Sequence, residues 1–97
     1  MTRAEPFRRD AGLCDQIQRA SVSVMSNIAE GFEHGSNKAF AQDLRIARGS
    51  ASELRSQLFV ALDVGYIDRE TFDRVHGKAK RVTSMLNGLI RYLTQPA

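Results

Sequence analysis

Between Pro6 and Pro96 the chain runs without a proline. Proline removes an amide donor and breaks a helix interior, so about ninety uninterrupted residues favour long helices. β-branched residues are scattered rather than clustered, which argues the same way. Apolar spacing then sets the boundaries. Leu13, Ile17, Ala20, Val24 and Ile28 step by four, three, four and four and predict a helix over 11–33, with Asp10 as N-cap and Gly35 past its end. Ser36 restarts the chain as N-cap of a second helix, 37–64, along the seam Phe40, Leu44, Ala47, Ala51, Leu54, Leu58 and Ala61. Gly65 stops it. Asp68 caps a third helix, 69–94, whose seam is Phe72, Val75, Ala79, Val82, Leu86, Leu89 and Leu93. Residues 1–9 show no periodicity and read as an extended lead-in with Phe7 as a docking residue. The fold class is all-α: one domain of 97 residues, an antiparallel up-down-up bundle with left-handed packing near about +20°.

Within the first helix, Ser23, Asn27, Glu30 and His34 form a polar row, while Val22, Met25, Ala29 and Phe32 line the opposite side. Val24 and Ile28 lie between them. A helix apolar over most of its circumference is buried on most sides. Two neighbours do not cover it, so a fourth helix or another subunit is implied. In the second helix, Gly49-Ser50-Ala51-Ser52 is a run of small residues. A mid-helix glycine costs about 1 kcal/mol against alanine, and close approach of a neighbouring helix is the simplest compensation. A tolerated, exposed glycine is the alternative.

A chain this short has little core to spare, which also favours oligomerisation. Cys14 is the only cysteine, so neither a disulfide framework nor a cysteine metal cluster can form within one chain. A reduced, cytoplasmic location is expected. No apolar run approaches the roughly 18 residues of a membrane span, and no membrane partner is expected. Formal net charge is +3, unevenly placed. From Arg74 onward there are five basic residues, Arg74, Lys78, Lys80, Arg81 and Arg91, and no acidic one. This basic segment on a mildly acidic body suggests an anionic partner.

The polar row of the first helix is placed to meet Ser50, Glu53 and Gln57 of the second, with Arg45 as a cation for Glu30 or Glu53. A structural network of Ser23, Asn27, Glu30, Ser50, Glu53 and Gln57 that fixes register is the expectation, because buried polar groups must be satisfied. Glu30, His34 and Glu53 superficially suggest metal ligands. A di-metal bundle site needs Glu-x-x-His motifs on facing helices, and none occurs, so no metal and no cofactor are expected. His76, beside Val75, reads as a boundary residue. No phosphate-binding loop, dinucleotide loop or nucleophile elbow is present, and no catalytic residue is assigned: the chain reads as not an enzyme. Two basic stripes remain, Arg45, Arg48 and Arg55 on the second helix and Arg74, Lys78 and Arg81 with Lys80 on the third. They are solvated faces or they bind phosphate backbones without sequence readout, since no aromatic residue interleaves to stack bases.

Ser26 to Phe32, S-N-I-A-E-G-F, resembles a motif of the family titled four helix bundle protein, first noticed in open reading frames within intervening sequences of bacterial 23S ribosomal RNA genes. Gly12-Leu13, Gln16-Ile17, Arg19-Ala20, Ser23, Arg45-Ile46-Ala47, Gly49-Ser50, Glu53-Leu54 and Gly65-Tyr66-Ile67 extend the resemblance over about residues 6–93. Two features depart from it. Met25 stands where the family usually has proline, and the usual first amphipathic helix is lacking, through a truncated start or as a three-helix variant. The resemblance implies a subunit ring, typically of five. One relative is the accessory protein of a diversity-generating retroelement, in which a basic pentamer binds a reverse transcriptase and nucleic acid. The expectation is therefore a non-enzymatic homo-oligomer, a pentamer, binding RNA or DNA through basic helix faces as an accessory to a nucleic-acid enzyme. A protein-binding structural scaffold is the alternative.

Overall fold

The computed structural model describes residues 11–96, and these form three helices and no strand. Helix α1 spans Ala11–Glu33, α2 Asn37–Asp63 and α3 Arg69–Thr94. The expected Asp10 cap, the lead-in over 1–9 and Phe7 lie outside the described residues. Both turns are made by glycine in the left-handed region, Gly35 at φ 73° and Gly65 at φ 80°, where a side chain would be strained. After Gly65, the Tyr66 amide bonds the Ala61 carbonyl at 2.8 Å and the Gly65 amide bonds that of Leu62 at 3.1 Å. This paired closure satisfies the last carbonyls of α2. It ends α2 at Asp63 rather than at residue 64, because Val64 is the cap residue. Ser36 Oγ accepts from the Ala39 amide at 3.1 Å and Asp68 Oδ1 from that of Thr71 at 2.7 Å, as N-caps do. Those bonds, with Arg74 nearby, hold the Asp68 carboxyl below the usual aspartate range.

Helices α1 and α3 both pack on α2 and have little direct contact with each other. The molecule measures 51 × 21 × 14 Å. Three helices at the usual 8–10 Å spacing in a closed triangle would be nearly as wide as deep. Here α2 forms the apex of an open wedge. One core cluster joins Ile17 to Leu58, Ala61, Ile67 and Phe72. A second joins Leu44 and Ala47 to Leu86 and Ile90. The seam of α2 is buried or half-buried along its length. That of α3 drifts: Leu89 is 36% exposed and Ile90 6%. A straight helix turns slightly less per residue than a seven-residue repeat requires, so the seam lags and Ile90 takes the inward position by the last turns.

The second side of α1 stands open in the single chain, with Val22, Met25 and Phe32 exposed. So are Met85 and Tyr92 on α3. The helix passes through Met25 without interruption. Gly49 meets no neighbour: a Cβ there would touch nothing within 4 Å. The expectation of close approach at Gly49 is not met within the chain. Close approach occurs instead at Gly31, where a Cβ would come within 2.7 Å of Phe40 Cδ1 and 3.0 Å of Asp43 Cβ.

Candidate nucleic-acid interface

Beside its apolar core, the α1–α2 contact is lined by small and polar residues. Gly31 lets the helices meet, and along the same side Ser23 Oγ lies 2.7 Å from Ser50 Oγ. Asn27 Nδ2 donates to the Ser23 carbonyl at 2.8 Å and to its hydroxyl at 3.2 Å. His34 Nδ1 lies 2.6 Å from Asp43 Oδ2, a close contact that does not have hydrogen-bond geometry, since the buried Oδ2 has no hydrogen-bond partner. The network is therefore Ser23, Asn27 and Ser50, with His34–Asp43 as a second lock. Glu30 is exposed and takes no part. Glu53 and Gln57 line a polar cleft with Gln16, Arg19, Ser23 and Ser50 but bond none of them. Arg45 meets neither glutamate, since its guanidinium leans to Gln42 at 3.4 Å. Among the described residues no three His, Cys, Asp or Glu side chains converge as metal ligands.

The outer edge of the α2–α3 contact differs in kind. Arg48 Nη1 donates to Asn87 Oδ1 at 2.9 Å, and Phe59 meets His76 at 5.0 Å between ring centres. These two contacts share one antiparallel register, which sets Arg55 opposite Lys80 and Arg45 near the level of Arg91. Residues 45, 48, 52, 55 and 59 step by three and four along one side of α2. Residues 76, 80, 84, 87 and 91 do so along α3. The strip carries Arg45, Arg48, Arg55, Lys80 and Arg91. Of the acids of α2, Asp43 faces His34, Glu53 turns toward α1 and Asp63 lies one turn beyond Phe59 at the helix end, and α3 has none after Asp73. Asp73 itself pairs with Arg69 at 3.2 Å.

At one end of the strip Phe59, Phe72 and His76 form an aromatic cluster. Phe72 and His76 are stacked, 4.7 Å apart at 22°, and Phe59 packs on Phe72 at 4.8 Å. Arg69 lies over the Phe72 ring at 5.7 Å, a cation–π distance. His76 is thus more than a boundary residue. Burial, then Arg55 and Lys80, push its pKa below the ordinary histidine value, against Asp73. Its Nε2 and the Nε of Arg55 are buried without a partner. The expectation that no aromatic residue interleaves with the cations fails here, because folding joins Phe59 and His76 from different helices.

The seven expected basic residues therefore divide. Arg45, Arg48, Arg55 and Lys80 belong to the α2–α3 strip. Arg74, Lys78 and Arg81 lie on another side of α3, all exposed, in line with Met85 and Tyr92. The only ion pairs four residues apart among the described residues are Asp15–Arg19 and Arg69–Asp73. Arg74 thus has no such pair with Glu70.

The 23S rRNA-intervening sequence protein family matches residues 1–88. The chain belongs to that family. It is the group that the S-N-I-A-E-G-F motif resembles, and in this chain the motif's Gly31 lies on the tight side of α1 with the Ser23–Ser50 contact. This family member is similar to a crystal structure from Bacteroides thetaiotaomicron, described as a protein of unknown function from the S23 ribosomal protein family. Identity is 26%, the TM-score is 0.79, and the likeness covers 81% of this chain and 73% of that one. No curated protein matches. No helix of the described residues is long and apolar enough to cross a membrane.

Sequence reasoning missed Asp43 and Gly31, which meet only through the α1–α2 turn. It also missed Phe59 and His76 as strip members. Each continues a basic stripe by one helical turn, so the signal was present.

Proposed function

We propose that this family member is a non-enzymatic nucleic-acid-binding protein that contacts phosphate backbones through the α2–α3 strip. The observation that carries the reading is the strip's charge: Arg45, Arg48, Arg55, Lys80 and Arg91 with no carboxylate among them. Cations so arranged repel one another and draw a polyanion, whose condensed counterions are released on contact. Arg74, Lys78 and Arg81 add a second, flanking cationic face. An accessory role beside a nucleic-acid enzyme would use the same surfaces. The test is binding of structured RNA, single-stranded RNA and duplex DNA over a salt series. Affinity should fall steeply with salt, and Lys80→Glu with Arg48→Glu should flatten the slope. Absence of binding even at low salt would overturn the reading.

We further infer that the chain works as a homo-oligomer, a pentameric ring in keeping with the resemblance. The exposed row Val22, Met25 and Phe32 on α1 favours it, since contiguous apolar surface of this kind marks association sites. Repetition around a ring would multiply weak phosphate contacts into useful avidity. A light-scattering mass of one chain at tens of micromolar would contradict the oligomer. A protein-binding scaffold is the second reading, favoured by the same apolar row. An oligomer that binds no nucleic acid would favour it.

A further inference from the structure

Phe59 is an aromatic side chain that α2 places half in water. It is 54% exposed, whereas Phe72 beneath it is 4% exposed. One part of its ring is held by Phe72 and His76, so its position is fixed, and the rest is open. Cations surround it. Arg55 is one turn away on α2, Lys80 is one turn from His76 on α3, and Arg69 lies on the far side over Phe72. Of the two nearest carboxylates, Asp73 is engaged by Arg69, and Asp63 is exposed at the end of α2, one turn beyond the ring. Beside the ring, Arg55 Nε and His76 Nε2 are buried and unpartnered. Such groups are costly to leave unmet. A rigid open ring with flanking cations makes up the equipment for holding an unpaired base and its phosphate.

Resting on the nucleic-acid reading above, we propose that Phe59 is a base-stacking subsite at one end of a single-stranded nucleic-acid track along the α2–α3 strip. From Phe59 to Arg45 the helix advances about 21 Å, room for a short run of single-stranded backbone. The ring takes an unpaired base, Arg55 and Lys80 take the adjoining phosphates, and Arg48 and Arg45 take the next. Duplex bases are stacked on one another and cannot reach the ring, so the subsite selects single strands. A second copy of the chain docked face to face on this strip would set cations against cations, which disfavours Phe59 as a self-association contact.

The test is fluorescence anisotropy with a labelled oligo-uridine strand and a labelled DNA duplex, on the full chain. Phe59→Ala should weaken oligo-uridine binding roughly tenfold. Duplex binding and the salt slope should not change, because no phosphate contact is lost. Phe59→Tyr should keep wild-type affinity, and circular dichroism and light scattering should match wild type for both variants. If wild type binds oligo-uridine and Phe59→Ala binds equally well, the stacking subsite is overturned while the nucleic-acid reading stands. If Phe59→Ala lowers the mass of the assembly, Phe59 is a subunit contact and the proposal is overturned. If wild type binds neither probe, both this proposal and the reading beneath it fail.

Discussion

The two faces of α2 solve the same packing problem in opposite ways. Toward α1 it offers small and hydroxyl-bearing residues, and the partner offers Gly31, Ser23 and Asn27. The helices close on each other at Gly31, and Ser23, Asn27 and Ser50 are joined by hydrogen bonds, while Asp43 Oδ2 and Gln57 Oε1 are buried without one. Toward α3, at the outer edge, it offers arginines and Phe59. The contact there is made by long side chains, with Arg55 Nε and His76 Nε2 buried without a hydrogen bond. Buried polar atoms without a hydrogen bond occur on both sides, so the contrast is one of size and charge: small, close-set residues toward α1, and cations of one sign around an exposed ring toward α3. The proposed binding surface is the α3 side of α2.

Substitutions can break or sharpen this contrast. The largest effect should come from Phe72→Ala, which removes the base of the aromatic cluster and part of the core. We expect a loss of about 3–4 kcal/mol in denaturant unfolding, against about 1 kcal/mol for Phe59→Ala, whose ring is half exposed. Equal losses would mean that Phe59 is core, and the strip would lose its open ring. Next is Gly31→Leu. A side chain there overlaps Phe40 and Asp43, so the α1–α2 interface should lose about 2 kcal/mol. An unchanged midpoint would show that the interface is not closed. Gly49→Ala should go the other way, with a gain of up to about 1 kcal/mol, since the site is open in the single chain. A loss of assembly mass on the same substitution would instead place another subunit against Gly49.

The smallest effect is a pH dependence on the α3 side. The folded-state pKa of His76 is lowered, so the unfolded chain binds the proton more readily. The stability it contributes is present above about pH 6.5 and is lost as pH falls through the lowered folded value. Unfolding midpoints should therefore drop on mild acidification, and His76→Phe, which keeps the stacking but cannot titrate, should flatten that part of the profile. An identical profile in the variant would remove His76 from the account.

The architecture was legible because helix periodicity is local. Seams of alternating threes and fours, Gly35 and Gly65, and the caps Ser36 and Asp68 each follow from a few neighbouring residues. Pairings across the turns were legible only where polar rows already matched in step, as with Ser23 and Ser50. Glu30 and Glu53 were misplaced because a row of steps defines a side of a helix without saying where contact ends. Asp43 and His34 were not paired because Asp43 lies beside the α2 seam, next to Leu44, outside the polar rows that were matched. Phe59 and His76 were overlooked because the stripes were counted in cations alone.

The most direct test is photocrosslinking of a thiouridine-substituted RNA to the wild-type protein, with the crosslinked peptides mapped by mass spectrometry. The account predicts crosslinks on α2 around Arg55 and Phe59 and on α3 around His76 and Lys80, and none on the α1–α2 side. Crosslinks centred on α1, or spread evenly over the surface, would contradict it.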